Sequence, residues 1–195
     1  MQVKKGDNKE RIKESAKEIF FAVPYKDASM RDVAAKSNMT VGNIYRYYEN
    51  KEVLFDDILK NTHDGVVKLI KITDLVKIFI KKKTTADESM VVKSSRFRTF
   101  LLNTIIKIVT SHSIELYILL NNSDGSKYEG TKDKIASMIK ETIIKRVDGM
   151  TEDRADTYAY LTIITFSYLL KKYKGEDEQL TKEIGYFFEK LFQSF

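Results

Sequence analysis

The sequence predicts an all-α fold, with an N-terminal three-helix helix-turn-helix domain followed by a larger helical domain. Three observations carry this. One proline and eight glycines in 195 residues leave little turn punctuation, and long helices need little. Apolar residues recur at helical spacing along most of the chain. Two short segments, 30–36 and 41–47, are separated by a three-residue turn, 37–39, and the cap Thr40, the spacing of a helix-turn-helix.

The elements follow in order. Over 8–21, Ile12, Ala16, Ile19 and Phe20 form one apolar face, with Lys9, Arg11, Lys13 and Lys17 mostly off it. That helix should stop near Val23-Pro24, because the residue before proline avoids helical angles. Ser29 caps the next helix, Met30–Lys36, with Asp32 in a capping-box position. Ser37-Asn38-Met39 is the turn, where Asn38 tolerates a left-handed conformation. Thr40 caps Val41–Tyr47. Asn50 caps a longer helix burying Val53, Leu54, Ile58 and Leu59. Residues 71–86, with the run Lys81-Lys82-Lys83, read as a break. Helices are expected over 89–109, 113–121, 132–147 and 151–172, with a loop at 122–126 and turns at Gly149 and Gly175. The last helix carries one stripe: Leu180, Ile184, Phe187, Phe188, Leu191, Phe192 and Phe195.

Composition excludes several chemistries. With 43% hydrophobic and 32% charged residues, wholesale disorder is not expected. There is no cysteine, so disulfide scaffolds, thiolate zinc sites and cysteine nucleophiles are out. The two histidines, His63 and His112, are too few for a His-rich metal centre. No nucleophile–base set, phosphate loop or Glu-x-x-His pair is present, so the chain is not expected to be an enzyme, and no cofactor is expected. The N-terminus lacks the apolar core of a signal peptide, and Tyr158–Leu170 is too short to span a bilayer. These features lead us to expect a cytoplasmic protein with no membrane partner.

Charge points to a partner. Residues 1–51 hold eleven Lys and Arg against seven Asp and Glu, a net of +4 out of the chain's +6. Such an excess suits an anionic partner. The second helix of the pair offers the matching chemistry. Gly42 permits close backbone approach, Asn43 suits a base edge, and Arg46 suits a base or a phosphate. Tyr45 and Tyr47 offer hydroxyls and rings, and Lys51 adds a cation at the next helix start. In the larger part, the terminal stripe and the face Tyr158, Leu161, Thr165, Tyr168 and Leu169 are apolar enough to need covering. An isologous interface suits them better than the monomer core alone.

The run Ala16-Lys17-Glu18-Ile19-Phe20, Tyr25, Ser29-Met30-Arg31-Asp32-Val33-Ala34 and Val41-Gly42-Asn43-Ile44-Tyr45-Arg46-Tyr47-Tyr48-Glu49-Asn50-Lys51-Glu52-Val53-Leu54 resembles the TetR family of bacterial transcriptional regulators. The resemblance covers roughly residues 8–60. It implies a DNA-binding domain over residues 1–52, with its motif at about 29–48, and a regulatory, ligand-binding and dimerisation domain over 53–195. It implies operator DNA as partner, a homodimer through the last two helices, and a small apolar or amphipathic ligand that releases a repressor. The alternative is a DNA-binding regulator without an inducer, gated by a protein partner. Carried over by position, Ser29 and Thr40 should touch phosphate. Val41, Asn43 and Arg46 should face the major groove, with Tyr45, Tyr47 and Lys51 on the backbone. A ligand would be lined by Phe97, Phe100, Thr104, Ile108, Tyr117, Tyr158, Thr162 and Phe166. One position departs: Pro24 stands where the family usually has glycine, so the first helix must end by another geometry.

Overall fold

The computed structural model describes residues 5–82, 104 and 106–193. All regular structure among them is helical: α1 (Lys5–Ala22), α2 (Met30–Lys36), α3 (Val41–Tyr45), α4 (Lys51–Lys82), α5 (Ser113–Asn121), α6 (Thr131–Arg146), α7 (Glu152–Lys172) and α8 (Asp177–Gln193). Residues 89–103 of the helix expected over 89–109 lie outside the described residues, as do the side chains of Phe97, Phe100, Phe188, Leu191, Phe192 and Phe195, whereas 106–109 are helical. No helix among the described residues is long and apolar enough to cross a membrane.

Three expectations need correction. The helix after Thr40 ends at Tyr45, because Arg46 and Tyr47 donate only three residues back, to the Asn43 and Ile44 carbonyls, which tightens the last turn. Residues 71–82 are not a break: α4 runs on to Lys82, and that stretch holds no glycine or proline to stop it. Val53 is not buried but 43% exposed. The buried stripe of α4 is Leu54, Phe55, Ile58, Leu59, Thr62 and Val66, and Val53 stands one helical step off it.

The chain forms two compact units. One comprises residues 1–63 and 114–132, the other 64–113 and 133–195. Compactness thus groups the chain differently from a functional division after residue 52. In the first unit, Ile12, Ala16 and Phe20 of α1, Val33 and Ala34 of α2, and Ile44 of α3 are buried. Phe20 meets Phe55 edge-on at 4.7 Å, and Tyr25 lies 4.6 Å from Phe55. Phe21 stacks on Tyr117 of α5 at 4.4 Å. Lys17 pairs with Glu14 and, at 2.9 Å, with Glu115. Burial pushes the Lys17 ammonium down, but its bonds to the two carboxylates outweigh this and hold it above the ordinary lysine value.

The end of α1 shows how proline is accommodated. A helix leaves its last carbonyls unpaired, and glycine in a left-handed turn often closes them. Pro24 cannot adopt that turn. Asn122 does the closing instead, from 100 residues away. Its buried side-chain amide donates to the Phe20 carbonyl at 2.8 Å and the Phe21 carbonyl at 3.0 Å. Its own carbonyl accepts the Tyr25 N–H at 2.8 Å, and the Pro24 carbonyl accepts from Asp27 and Ala28 to complete the turn.

In the second unit, Thr151 caps α7, and Gly149 and Gly175 take the positive φ of 74° and 80° that their turns require. The buried side of α7 is Ala155, Ala159, Thr162, Ile163, Leu169 and Leu170. Leu169 therefore leaves the apolar outer face expected for it. That face is Tyr158, Tyr160, Leu161, Ile164 and Tyr168, all exposed, with Tyr186 exposed on α8.

Asn122→Ala should destabilise the chain by roughly 2 kcal/mol or more, since two helix-end carbonyls lose their donors. Urea unfolding midpoints check this. A cost of a few tenths would mean that α1 ends without Asn122.

Candidate nucleic-acid interface

The two short helices are set by local capping. Ser29 and Asp32 form a reciprocal box: the Asp32 N–H donates to Ser29 Oγ at 3.2 Å, and the Ser29 N–H donates to the Asp32 carboxylate at 3.1 Å. The Ser29 hydroxyl also donates to that carboxylate, at 2.6 Å. Asn38 sits at φ 53° in the turn, as expected. Thr40 Oγ1 accepts from the Asn43 N–H at 3.3 Å, which leaves the Thr40 proton uncommitted by the cap. Each such cap contributes about 1 kcal/mol. Asn50 starts α4 in the same way, accepting from Val53 at 2.9 Å.

α3 buries Ile44 completely and turns the rest of its short surface outward. Gly42, Arg46 and Tyr45 are exposed, Tyr45 by 51%, and Val41, Asn43 and Tyr47 are half-buried. The three tyrosines therefore divide. Tyr48 is core, 2% exposed, and donates to Asp57 at 2.8 Å. Tyr47 accepts from the Asn8 amide at 3.1 Å. Tyr45 has no such anchor. A Cβ added at Gly42 would meet nothing within 4 Å, and its φ is not positive. Nothing within the described chain requires glycine there.

Much of the N-terminal positive charge is committed internally. Lys9 and Lys13 reach Asp57 at 3.1 and 3.9 Å, and Lys36 reaches Glu18 at 2.6 Å. Lys51 donates to the Tyr25 and Ala28 carbonyls at 2.6 and 2.9 Å and lies over the Tyr25 ring at 4.2 Å. Burial lowers its pKa, and the charge of Asp27 opposes this. Its first structural task is to hold the α1–α2 turn against the start of α4, which sequence reading did not foresee. Arg31 and Arg46, both exposed, have no ion pair among the described residues. Arg31 is an exposed cation that residue-type reasoning did not single out, one residue inside the capped start of α2.

Of the residues expected around a ligand, Phe97 and Phe100 lie outside the described residues, and the other six are divided between the two units. Tyr117 stacks within the first unit. Thr104, Ile108, Tyr158, Thr162 and Phe166 belong to the second. Tyr158 is exposed, while buried Thr162 spends its hydroxyl on the Tyr158 carbonyl at 2.8 Å. Two open clefts of that unit lie beside Thr110, Ser111, Asp177, Glu178 and Thr181 and beside Gly175, Glu176 and Lys182, and none of the expected residues lines them. Among the described residues, no cluster could hold a metal.

Burial pushes the Asp57 carboxyl up, but the Tyr48 hydroxyl and the Lys9 and Lys13 ammoniums outweigh it and hold the pKa below the usual carboxylate value. A depressed folded pKa gives stability that is complete above the unfolded value and lost as pH falls through the folded one. Asp57→Asn should therefore flatten the acid limb of the stability–pH curve. Urea midpoints from neutral to acid pH check this, and an unchanged acid limb would remove Asp57 from the account.

Comparison with known proteins bears on these residues directly. The family profile described as "Bacterial regulatory proteins, tetR family" matches residues 12–58. Solved structures similar to this chain include a transcriptional regulator (TerR/AcrR family) from Aquifex aeolicus VF5, at 20% identity over 94% of this chain and 99% of that one, with a TM-score of 0.48. Another is the fatty acid degradation regulator FadR from Bacillus halodurans, at 15% identity, 94% and 93% coverage and a TM-score of 0.44. A third is NalD, the secondary repressor of the MexAB-OprM multidrug efflux pump in Pseudomonas aeruginosa, at 16% identity, 92% and 94% coverage and a TM-score of 0.44. No curated protein matches the sequence. The matched residues 12–58 span the capped helix pair and its turn, and over them the chain is similar to the tetR family of bacterial regulatory proteins.

Proposed function

We propose that this chain is a sequence-specific repressor that reads operator DNA with α3 as a homodimer and is released by a small apolar or amphipathic ligand. The observation that carries the DNA reading is the surface of α3: one buried anchor, Ile44, and outward Gly42, Tyr45 and Arg46 beside half-buried Val41 and Asn43. Asn43 and Arg46 supply base-edge chemistry. The Thr40 and Tyr47 hydroxyls and the Arg31 guanidinium supply phosphate contacts, which position without specifying. Ser29 contributes first as a cap, since its proton goes to Asp32. Lys51, with two of its three N–H groups on carbonyls, has one left for a phosphate. The open space at Gly42 fits a groove wall that must come close. The exposed apolar face of α7, with Tyr186, supports dimerisation, because such a patch is rarely left in water. The ligand rests on the family resemblance. Thermal-shift screening with apolar compounds tests it, since a specific binder raises the melting temperature, and a true inducer must also release DNA.

Affinity for a duplex selected from a random pool should fall steeply with salt. Asn43→Ala and Arg46→Ala should each relax base preference at a cost of about 1–3 kcal/mol. Titrations of the selected duplex against single-base variants measure both, and a salt-insensitive affinity would sink the reading.

Gly42→Ala separates folding from function. It should stabilise the free protein by about 0.5 kcal/mol, since glycine is the poorer helix residue, yet weaken DNA binding. A variant that binds as tightly as wild type would show that nothing approaches Gly42 closely.

A further inference from the structure

A chain of three polar side chains joins α1 to the end of α3. Arg11 Nη2 donates to Asn8 Oδ1 at 3.1 Å, and Asn8 Nδ2 donates to Tyr47 Oη at 3.1 Å. The polarity of this chain is fixed by its first member. A guanidinium carries donors only, so it must face the amide oxygen of Asn8. The amide nitrogen is then left facing Tyr47, and the usual ambiguity of an amide's two ends is removed. Tyr47 in turn must accept. A phenol has one proton and lies in the plane of its ring, so a donor seated on one side drives that proton to the other. No residue among those described takes the Tyr47 proton. Tyr47 itself is half-buried at the close of α3, where the backbone has tightened and Arg46 is exposed beside it.

We propose that Asn8 is a positioning residue for DNA binding: held by Arg11, it orients the Tyr47 hydroxyl so that its proton is presented to a backbone phosphate. Asn8 does not touch DNA. It removes the rotational freedom that Tyr47 would otherwise lose on binding, and it leaves the hydroxyl as a donor, the polarity that a phosphate oxygen needs. The inference rests on the DNA reading proposed above and adds to it a residue of α1 outside the helix pair.

The test is a double-mutant cycle on the full chain, with Asn8→Ala, Tyr47→Phe and the double variant titrated against a mixed-sequence duplex at low salt. Tyr47→Phe should weaken binding about tenfold, the loss of a hydrogen bond to a charged acceptor. Asn8→Ala should cost several-fold, with its melting temperature and the salt slope unchanged, because no cation is lost. The double variant should bind like Tyr47→Phe alone. Asn8→Asp supplies a second check: a carboxylate accepts the Tyr47 proton and turns it inward, so binding should fall below that of Asn8→Ala, and in the Tyr47→Phe background that extra loss should shrink. The proposal is overturned if Asn8→Ala binds as wild type does, if Tyr47→Phe has no effect, or if the two losses simply add. Wild-type protein that fails to bind any duplex would instead overturn the DNA reading itself.

Discussion

The constraint on which the first unit depends is the end of α1. Proline at position 24 denies the helix its usual closure, and the carbonyls of Phe20 and Phe21 still require donors in a buried place. Asn122 meets that requirement, and in doing so ties residues 114–132 to the end of α1. The neighbouring contacts follow the same path: Phe21 on Tyr117, Lys17 on Glu115, and Tyr128 and Lys127 on Asp56. The Asp56 carboxyl is held below its ordinary range, by its bonds to Lys127 and Tyr128 above all. The first unit thus includes a segment remote in sequence, bonded to α1 and α4.

Polar groups in this unit divide between frame and surface. Lys9, Lys13 and Lys51 look, by residue type, like free cations for an anionic partner. Asp57 and the carbonyls of the α1–α2 turn take them first. Tyr48 has its phenol pKa raised by burial and by the Asp57 carboxylate, and is a structural group. Less committed within the described residues are Arg31, Arg46, the Thr40 hydroxyl, the Asn43 amide, the Tyr47 proton and the third N–H of Lys51. Net charge pointed to this region, and hydrogen-bond accounting separates its committed groups from its uncommitted ones.

In the second unit the same accounting leaves a different surface. α7 buries its small and aliphatic residues and turns tyrosines with Leu161 and Ile164 outward. Tyrosine suits an exposed place of this kind, because its hydroxyl stays hydrated there.

The sequence by itself determined the caps and most helix bounds that depend on neighbours three or four residues apart, though not the end of α3 or the run of α4 past residue 71. The Ser29–Asp32 box, the Thr40, Asn50 and Thr151 caps, the left-handed Asn38 and the bounds of α2, α5 and α7 are local interactions, written within one helical turn. Periodicity gave the buried faces but erred by one residue at Val53 and Leu169, since one step on a helix turns a side chain by about 100°. Tertiary structure alone decided what closes α1, which of three consecutive-looking tyrosines is core, and where Lys51 spends its protons. Each of those answers comes from a group 23 to 102 residues away, or from the depth of a packed interior. No local pattern encodes such partners, because only the folded chain brings donor and acceptor within hydrogen-bond reach.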